Sequence, residues 1–457
     1  MAQAVRGMIG VGLMLGVGAL PAAAQDMALP AVDPVGISRS GAQVAYGYSL
    51  EAATSNPALL ASLKEKGGVY LAAGLEMSAT QQSLESNQRV YQSFDRNRTL
   101  GGFGLAARLS PNLTLGLKLD EPYLRHGKLL DDAPSRYLGD GIDLSARRME
   151  GQLAWALSPN VSMGVGLGAA RLSFESTSVM NLGVPNDPTQ PASSSNAVNG
   201  LAEQRVGQSG NKVVPSYSLG LRWALSPRWT LGFTHQSGLK GDLGLKVGFR
   251  GTPLGYWDNT GLSTSADLGT VARAATLLAS SQPMAGTSTL NLPSQTTLGM
   301  RHRATPMVTW EADLRWVSGA LRVPTFATVQ TPSGSVAAPL DLPQGKGHFG
   351  LGASVEVELG KFWTLRGGLA LDQRSFAESA VEPLLGGART AAFSIGAGFK
   401  IWGGELSLGY QYRQSEDQDT RNVVGVWSSS GYRTVSVARV RMEGMGHLMA
   451  LGFKKTF

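Results

Sequence analysis

Cysteine is absent from all 457 residues, which excludes a disulfide scaffold, thiol catalysis and the common structural zinc sites. Long apolar runs are missing after the first 25 residues. No later stretch supplies the ~18 apolar residues that mark a membrane-spanning helix. Charge is sparse, at 16% of residues. The five histidines (His126, His235, His302, His348, His447) are scattered, without the i, i+4 spacing of a zinc site, and no Gly-x-Ser-x-Gly occurs. A hydrolase or metalloenzyme has no constellation to work with. The expectation is a protein that is not an enzyme and takes no cofactor and no metal. The net charge of +7 comes without a dense run of lysine or arginine. It suits attraction to anionic lipopolysaccharide better than to nucleic acid.

Glycine is what the chain has in plenty: 59 residues, nearly twice the usual share of about 7%. Mean hydropathy is near zero. That fits a soluble protein, or a membrane β-barrel whose apolar residues are diluted by alternation with polar ones.

The opening residues read as an export signal. Arg6 provides the charged start, Met8 to Leu20 the apolar run, Pro21 a break and Ala22-Ala23-Ala24 the small residues before cleavage. The expected division is a signal peptide over 1–24, an N-terminal segment over 25–66 and a barrel over 67–457. Cleavage removes Arg6 and leaves a net charge of +6.

The remainder alternates with period two. In Leu113-Thr114-Leu115-Gly116-Leu117-Lys118-Leu119-Asp120 every odd residue is leucine and every even one is small or polar. A strand with one greasy and one polar face has this pattern, and a helix does not. It recurs at Val161–Leu167, Tyr217–Trp223, Val308–Trp316, Phe393–Ile401 and Leu406–Tyr412. The connections alternate too. Short ones such as Ser110-Pro111-Asn112, Ser158-Pro159-Asn160 and Gly403-Gly404 are followed by long polar ones near 80–98, 124–144, 176–212, 248–294, 318–345, 374–388 and 415–443. Tight periplasmic turns and long extracellular loops do this in a membrane barrel. The strand starts fall near residues 68, 99, 113, 147, 161, 214, 229, 295, 307, 347, 362, 390, 405 and 445, which predicts a 14-stranded antiparallel transmembrane β-barrel. Trp155, Trp223, Trp229, Trp363 and Trp402 lie within a few residues of the short turns, as a periplasmic aromatic girdle would.

The sequence closes with Phe457 on an alternating strand, which resembles the terminal signal by which outer-membrane barrels are recognised for insertion, although Lys455 is a departure from the usual apolar residue. Residues 25–66 do not alternate, and about 40 residues exceed a simple lead-in. They are either a periplasmic tail or a plug, because a barrel of this size has a lumen that needs filling or conducts water.

Over nearly the whole mature chain the sequence resembles the FadL/TodX-type family of outer-membrane long-chain fatty acid and hydrocarbon transporters. The resemblance is carried by Asn56-Pro57-Ala58 closing the N-terminal segment, Leu292-Pro293-Ser294-Gln295-Thr296-Thr297-Leu298-Gly299 leading to Trp310–Trp316, Leu365–Gln373 and the closing strand. It implies a cell outer membrane protein whose lumen is closed by an N-terminal hatch, with Asn56, Pro57 and Ala58 in that hatch near the inner gate. It implies capture of cargo by extracellular loops, a pocket in the upper barrel, and lateral exit beside an inward kink of the third strand. Gly116 is the candidate for that kink.

Two further features suit a greasy cargo. Leu172 and Phe174 break the polar-inward pattern high on the fifth strand and suit either a pocket wall or packing on the hatch. A helix is expected over about 266–280, with Leu268, Val271, Ala275 and Leu278 on one face of a binding groove. Arg222, Arg315, Arg366 and Arg413 have inward parity and are candidates for meeting a carboxylate. They share that face with Glu150, Glu311, Asp313, Glu356 and Asp372.

The expected partners are a long-chain fatty acid or other hydrophobic small molecule, lipopolysaccharide and outer-membrane lipid, with the protein a monomer. The alternatives are a hydrocarbon or aromatic uptake channel of the same family, and a general diffusion porin.

Overall fold

The computed structural model describes residues 33–46, 50–84, 90–94, 98–128, 141–181, 203–249, 284–319, 328–331, 334–337, 345–375, 388–416, 418–428 and 431–457. Fourteen strands form the wall. They are β1 (Gly67–Leu84), β2 (Arg98–Ser110), β3 (Leu113–Lys128), β4 (Gly141–Ala156), β5 (Val161–Asn181), β6 (Glu203–Ala224) and β7 (Trp229–Gln236), then β8 (Ser294–Arg303), β9 (Val308–Ser318), β10 (His348–Leu359), β11 (Trp363–Asp372), β12 (Thr390–Ile401), β13 (Gly404–Ser415) and β14 (Gly431–Thr456). Each pairs antiparallel with its sequence neighbour, and β14 pairs with β1 to close the cylinder. At the seal, Gly67 and Phe457 exchange two backbone hydrogen bonds of 2.9 and 3.0 Å.

The strands start where the alternation begins, except at three places. β4, β6 and β14 begin at Gly141, Glu203 and Gly431, well before the expected 147, 214 and 445. The reason is physical. On β4 the residues before Arg147 are buried on both faces, at Leu144, Ser145 and Ala146, so the ladder continues without the alternation that reveals it. Among the described residues three pairings extend the rim: Val90–Phe94 with upper β1, Leu239–Phe249 with Met284–Leu292, and Gln418–Ser428 with upper β14.

Outward residues are large and apolar. Leu119, Leu153, Leu167, Leu314, Leu351 and Leu408 are all exposed to what surrounds the cylinder. Most inward residues are small or polar, with large apolar exceptions at Tyr70, Leu100, Leu172, Phe174 and Leu448. Within this ring lies the segment from Asp33. Helix α1 (Pro34–Ser38) is followed by two 3-10 turns, Glu51–Thr54 and Pro57–Ser62. The segment is too short to have a core of its own, so it packs on the wall. Val35, Ile37, Ala45, Ala58 and Leu59 are all at most 2% exposed.

Candidate functional site

Asn56-Pro57-Ala58 starts a 3-10 turn for local reasons. Pro57 presets the first helical position, and Asn56 caps it, its Oδ1 accepting from the Ala58 N–H at 3.0 Å. The Asn56 amide donates to the Val44 carbonyl at 2.8 Å and to the Leu221 carbonyl of β6 at 3.2 Å. Ser162 of β5 donates to the Ala58 carbonyl. Two glycines make room. A Cβ on Gly164 would lie 2.4 Å from Ala58 N, and one on Gly220 would lie 2.1 Å from Asn56 Oδ1. The motif is thus seated directly on the backbones of β5 and β6.

Charged side chains tie the rest of the segment to the wall in two clusters. In the first, Arg39 meets Glu311 at 2.7 Å and Glu356 at 3.7 Å. Arg366 bridges Glu356 (2.8 Å) to Glu405 (2.7 Å), and Lys454 bridges Glu405 (3.1 Å) to Glu51 (3.3 Å). Tyr46 donates its hydroxyl to Glu356 at 2.8 Å under the Arg39 guanidinium. The N–H groups of Gln43 and Val44 donate to Asp313, and that of Ala45 donates to Glu311. Three otherwise orphaned backbone donors are satisfied by two carboxylates of β9. In the second cluster, Lys118 meets Glu150 at 3.1 Å and donates to the Thr54 carbonyl. Arg148 holds both oxygens of Asp120, at 2.9 and 2.5 Å. Ser216 and Ser218 donate to Glu150.

Asp33 is different in kind. It caps α1 by accepting from the Gly36 N–H at 2.6 Å, and it also accepts from Gln43 and Thr54. Burial pushes its carboxyl above the usual range, and these hydrogen bonds only partly offset that. Glu51 is pushed up by burial too, against the pull of Lys454.

The wall carries a seam between β2 and upper β3. The β2–β3 ladder ends at Phe103–Leu119, while Arg98–Gly102 stay paired with β1. One step further, β3 slips by one residue against β4 between Asp120 and Tyr123. The extra residue falls at Glu121-Pro122, and Pro122 has no N–H to give a ladder. From Asp120 to Arg125 every residue but Pro122 is buried, so alternation stops here. Leu124, on the outer side of β3, joins a buried cluster with inward-facing Leu100, Leu448 and Ala450 and with Ile37 of α1. Asp143, on the outer side of β4, binds Arg98 of β2 at 2.5 Å and His126 at 3.2 Å. Outer faces of upper β3 and β4 therefore lie against the inner side of β2. The two parts of the wall overlap like a lap joint, held by the Arg98–Asp143–His126 clasp.

Gly116, the candidate for the kink, sits in unbroken register between Ala106 and Gln152. It serves close approach: a Cβ there would lie 2.5 Å from Leu60 Cδ1. The register slip belongs to Glu121-Pro122, and that proline inside a strand was the available signal.

Leu172 and Phe174 are both fully buried on β5. They are in register with Ala146 and Leu144 of β4. With Leu239, Leu243 and Leu292, also fully buried, they mark an apolar upper region above the charged layer. Between the two lies a cavity of about 60 Å3, lined by Ser40–Val44 and Thr54-Ser55 below and by Tyr123, Arg148, Gln236 and Leu239 on the wall. Its size and polar lining suit a few waters. The basic candidates are engaged: Arg366 and Arg315 pair with carboxylates, the latter with Asp372, and Arg413 donates to Gln411. Leu268, Val271, Ala275 and Leu278 lie outside the described residues. Arg39, Asp33, Lys118 and Arg148 were not singled out from sequence, because nothing in a lone charged residue says whether it faces a plug.

Residues 15–457 match the family model described as outer membrane protein transport protein (OMPP1/FadL/TodX). Among solved structures, the chain is similar to a Pseudomonas aeruginosa FadL homologue (16% identity, 95% of this chain and 100% of that one covered, TM-score 0.72). It is also similar to the toluene transporters TbuX of Ralstonia pickettii (14% identity, 94% and 99% covered, TM-score 0.61) and TodX of P. putida (13% identity, 94% and 99% covered, TM-score 0.62). No curated protein matches.

Proposed function

The chain belongs to the OMPP1/FadL/TodX family of outer membrane transport proteins, and from that premise we propose that it is a channel for passive uptake of hydrophobic molecules, most specifically long-chain fatty acids. One observation carries the reading. The inner wall changes from a charged layer around the N-terminal segment to a buried apolar region at Leu144, Leu172 and Phe174. A greasy cargo that moves from water into such a region gains about 25 cal/mol per Å2 of its own apolar surface removed from water.

In this reading residues 33–63 are the hatch, with Asn56, Pro57 and Ala58 as its seat. Cargo is caught by the extracellular loops, including the face expected at Leu268, Val271, Ala275 and Leu278. It enters against Leu172 and Phe174, and movement of the hatch or of the lap seam releases it sideways into the membrane. A filled lumen speaks against a general porin.

The test is uptake of labelled oleate by cells that lack their own fatty acid transporter and express this chain, with heat-modifiable gel mobility confirming a folded barrel. Rescue is expected. A folded barrel without oleate uptake overturns the fatty acid assignment. The hydrocarbon reading, favoured by similarity to two solved toluene transporters, then predicts toluene uptake in the same cells. Steady ion conductance would point to a porin instead.

A further inference from the structure

The short-turn end of the barrel carries an excess of positive charge. Arg228, Arg303, Lys361, Lys400 and Lys455 are exposed, one at each of five different strand ends. Lys64 and Lys66 lead into β1 on the same rim, beside Glu65, and Glu358 is the other exposed acidic side chain there. Among the described residues, no carboxylate lies within ion-pair distance of those five cations. Arg108, half-buried on the same rim, donates all three of its guanidinium nitrogens to the backbone carbonyls of Ser110, Lys64 and Pro111, so its charge too stays uncompensated.

A ring of like charge is costly unless something answers it, and a second set of residues says what. Aromatic side chains stand out from the same rim. Phe362 and Trp363 follow Lys361, Trp402 is two residues from Lys400, and Phe457 is two residues from Lys455. All four are more than half exposed, and Trp402 is 81% exposed. The chain keeps Trp402 in a left-handed backbone conformation (φ 52°) at a two-residue turn. Glycine is the usual occupant of such a position. Amphipathic rings of this kind sit at the headgroup level of a bilayer. The cations therefore lie in the plane of the lipid phosphates, and in the leaflet facing the short turns rather than the loops.

We propose that this rim is a binding surface for anionic phospholipid headgroups of the periplasmic leaflet. The lysines and arginines meet the phosphates while the neighbouring rings lie among the glycerol and upper acyl positions. Basic residues near a membrane surface each strengthen attraction to anionic lipid several-fold, and the effect is screened by salt.

The test uses the purified full-length barrel, delipidated by detergent exchange. It is titrated with phosphatidylglycerol or phosphatidylethanolamine, and bound lipid is counted by native mass spectrometry. The wild type is expected to prefer phosphatidylglycerol and to lose that preference in high salt. The variant R228Q/K361Q/K400Q/K455Q is expected to weaken phosphatidylglycerol retention by on the order of tenfold or more and to leave phosphatidylethanolamine unchanged. If that variant does not show heat-modifiable mobility, the salt dependence of the wild type decides alone. Equal retention of the two lipids by the wild type overturns the proposal and leaves the rim to an acidic soluble partner. So does an unchanged preference in a folded variant.

Discussion

At the scale of single residues, the chain spends its glycines and carboxylates on one task, which is to hold an irregular segment inside a regular wall. Asn56 illustrates the energetics. It is fully buried and makes three hydrogen bonds, so Asn56→Ala removes the acceptor of the Ala58 N–H and the donor to the Val44 carbonyl. The expected loss is about 1–3 kcal/mol of local stability, read as faster hydrogen exchange in residues 50–63 with the barrel's heat-modifiable mobility unchanged. Gly164→Val attacks the same seat from the wall side, and a similar loss is expected from overpacking, about 1–3 kcal/mol. Unaltered exchange in both variants would mean that the motif does not hold the segment.

Asp33 gives a pH prediction. Its folded carboxyl is held above the ordinary value of about 3.9, because burial disfavours the charge. The protonated form therefore favours the packed segment. That contribution is fully present below the ordinary value and is lost as pH rises through the raised one. Glu51 shifts in the same direction. Protection of residues 33–46 from exchange, corrected for intrinsic rates, should fall as pH is raised across the acidic range. The fall should be shallower in Asp33→Asn, whose side-chain oxygen still caps α1. A wild-type profile that is flat, or one that Asp33→Asn reproduces, would rule this out.

At the scale of elements, the feature that matters is the lap between β2 and upper β3. Because the chain has no cysteine of its own, a cross-link can be placed there without background. Leu100→Cys with Leu124→Cys joins two members of one buried cluster across the seam. If cargo leaves sideways at this place, oxidation should stop oleate uptake and a reductant should restore it. Full cross-linking with undiminished uptake would eliminate the seam as the exit. Severing the clasp by Asp143→Asn removes an ion pair to Arg98 and should accelerate uptake, if the joint is what limits release.

Much of this element level was legible in advance. Leu113–Leu119 alternates because one face meets lipid and the other a polar interior, so strand and orientation follow from period two. The legibility fails where that contrast fails. Residues 120–125 are buried on both faces, and β4 above Arg147 is buried on its outer side at Ser145. No two-faced pattern marks a strand tucked behind another. Gly116 drew attention as a weak point in a strand, but it answers to Leu60, a contact 56 positions away in the chain that no local pattern encodes. Nor could the partners of Arg39 be read, since Glu311 and Glu356 become its neighbours only once the wall has closed.

For the whole molecule, charge and greasiness are sorted by height: apolar residues near the loops, an ion-paired layer in the middle, and a basic aromatic rim at the turns. The middle layer should behave as a unit. Arg39→Met leaves Glu311 buried without its cation and should cost about 3–5 kcal/mol, detectable as protease access to residues 33–63 in a barrel that still migrates as folded. Joint replacement of Arg39 and Glu311 by apolar residues should restore part of the loss, and failure to do so would show that the pair is not an independent unit. Because the layer fills the lumen, the same Arg39→Met protein should show raised ion conductance in planar bilayers. Conductance identical to wild type would mean that the segment does not occlude the path.

The seal between Gly67 and Phe457 places the whole reading in time. The strand that completes the cylinder is the last one in the chain, and its partner follows directly on the N-terminal segment. That segment precedes the wall in the chain, yet its ion-pair partners on β9, β10 and β14 are contributed hundreds of residues later. It has no counter-charges to settle on until the wall is nearly finished, and little room to enter after the wall has closed. Biogenesis therefore has a narrow interval in which the interior must be loaded. A defect in the final strand would strand the interior outside as well as leave the wall open.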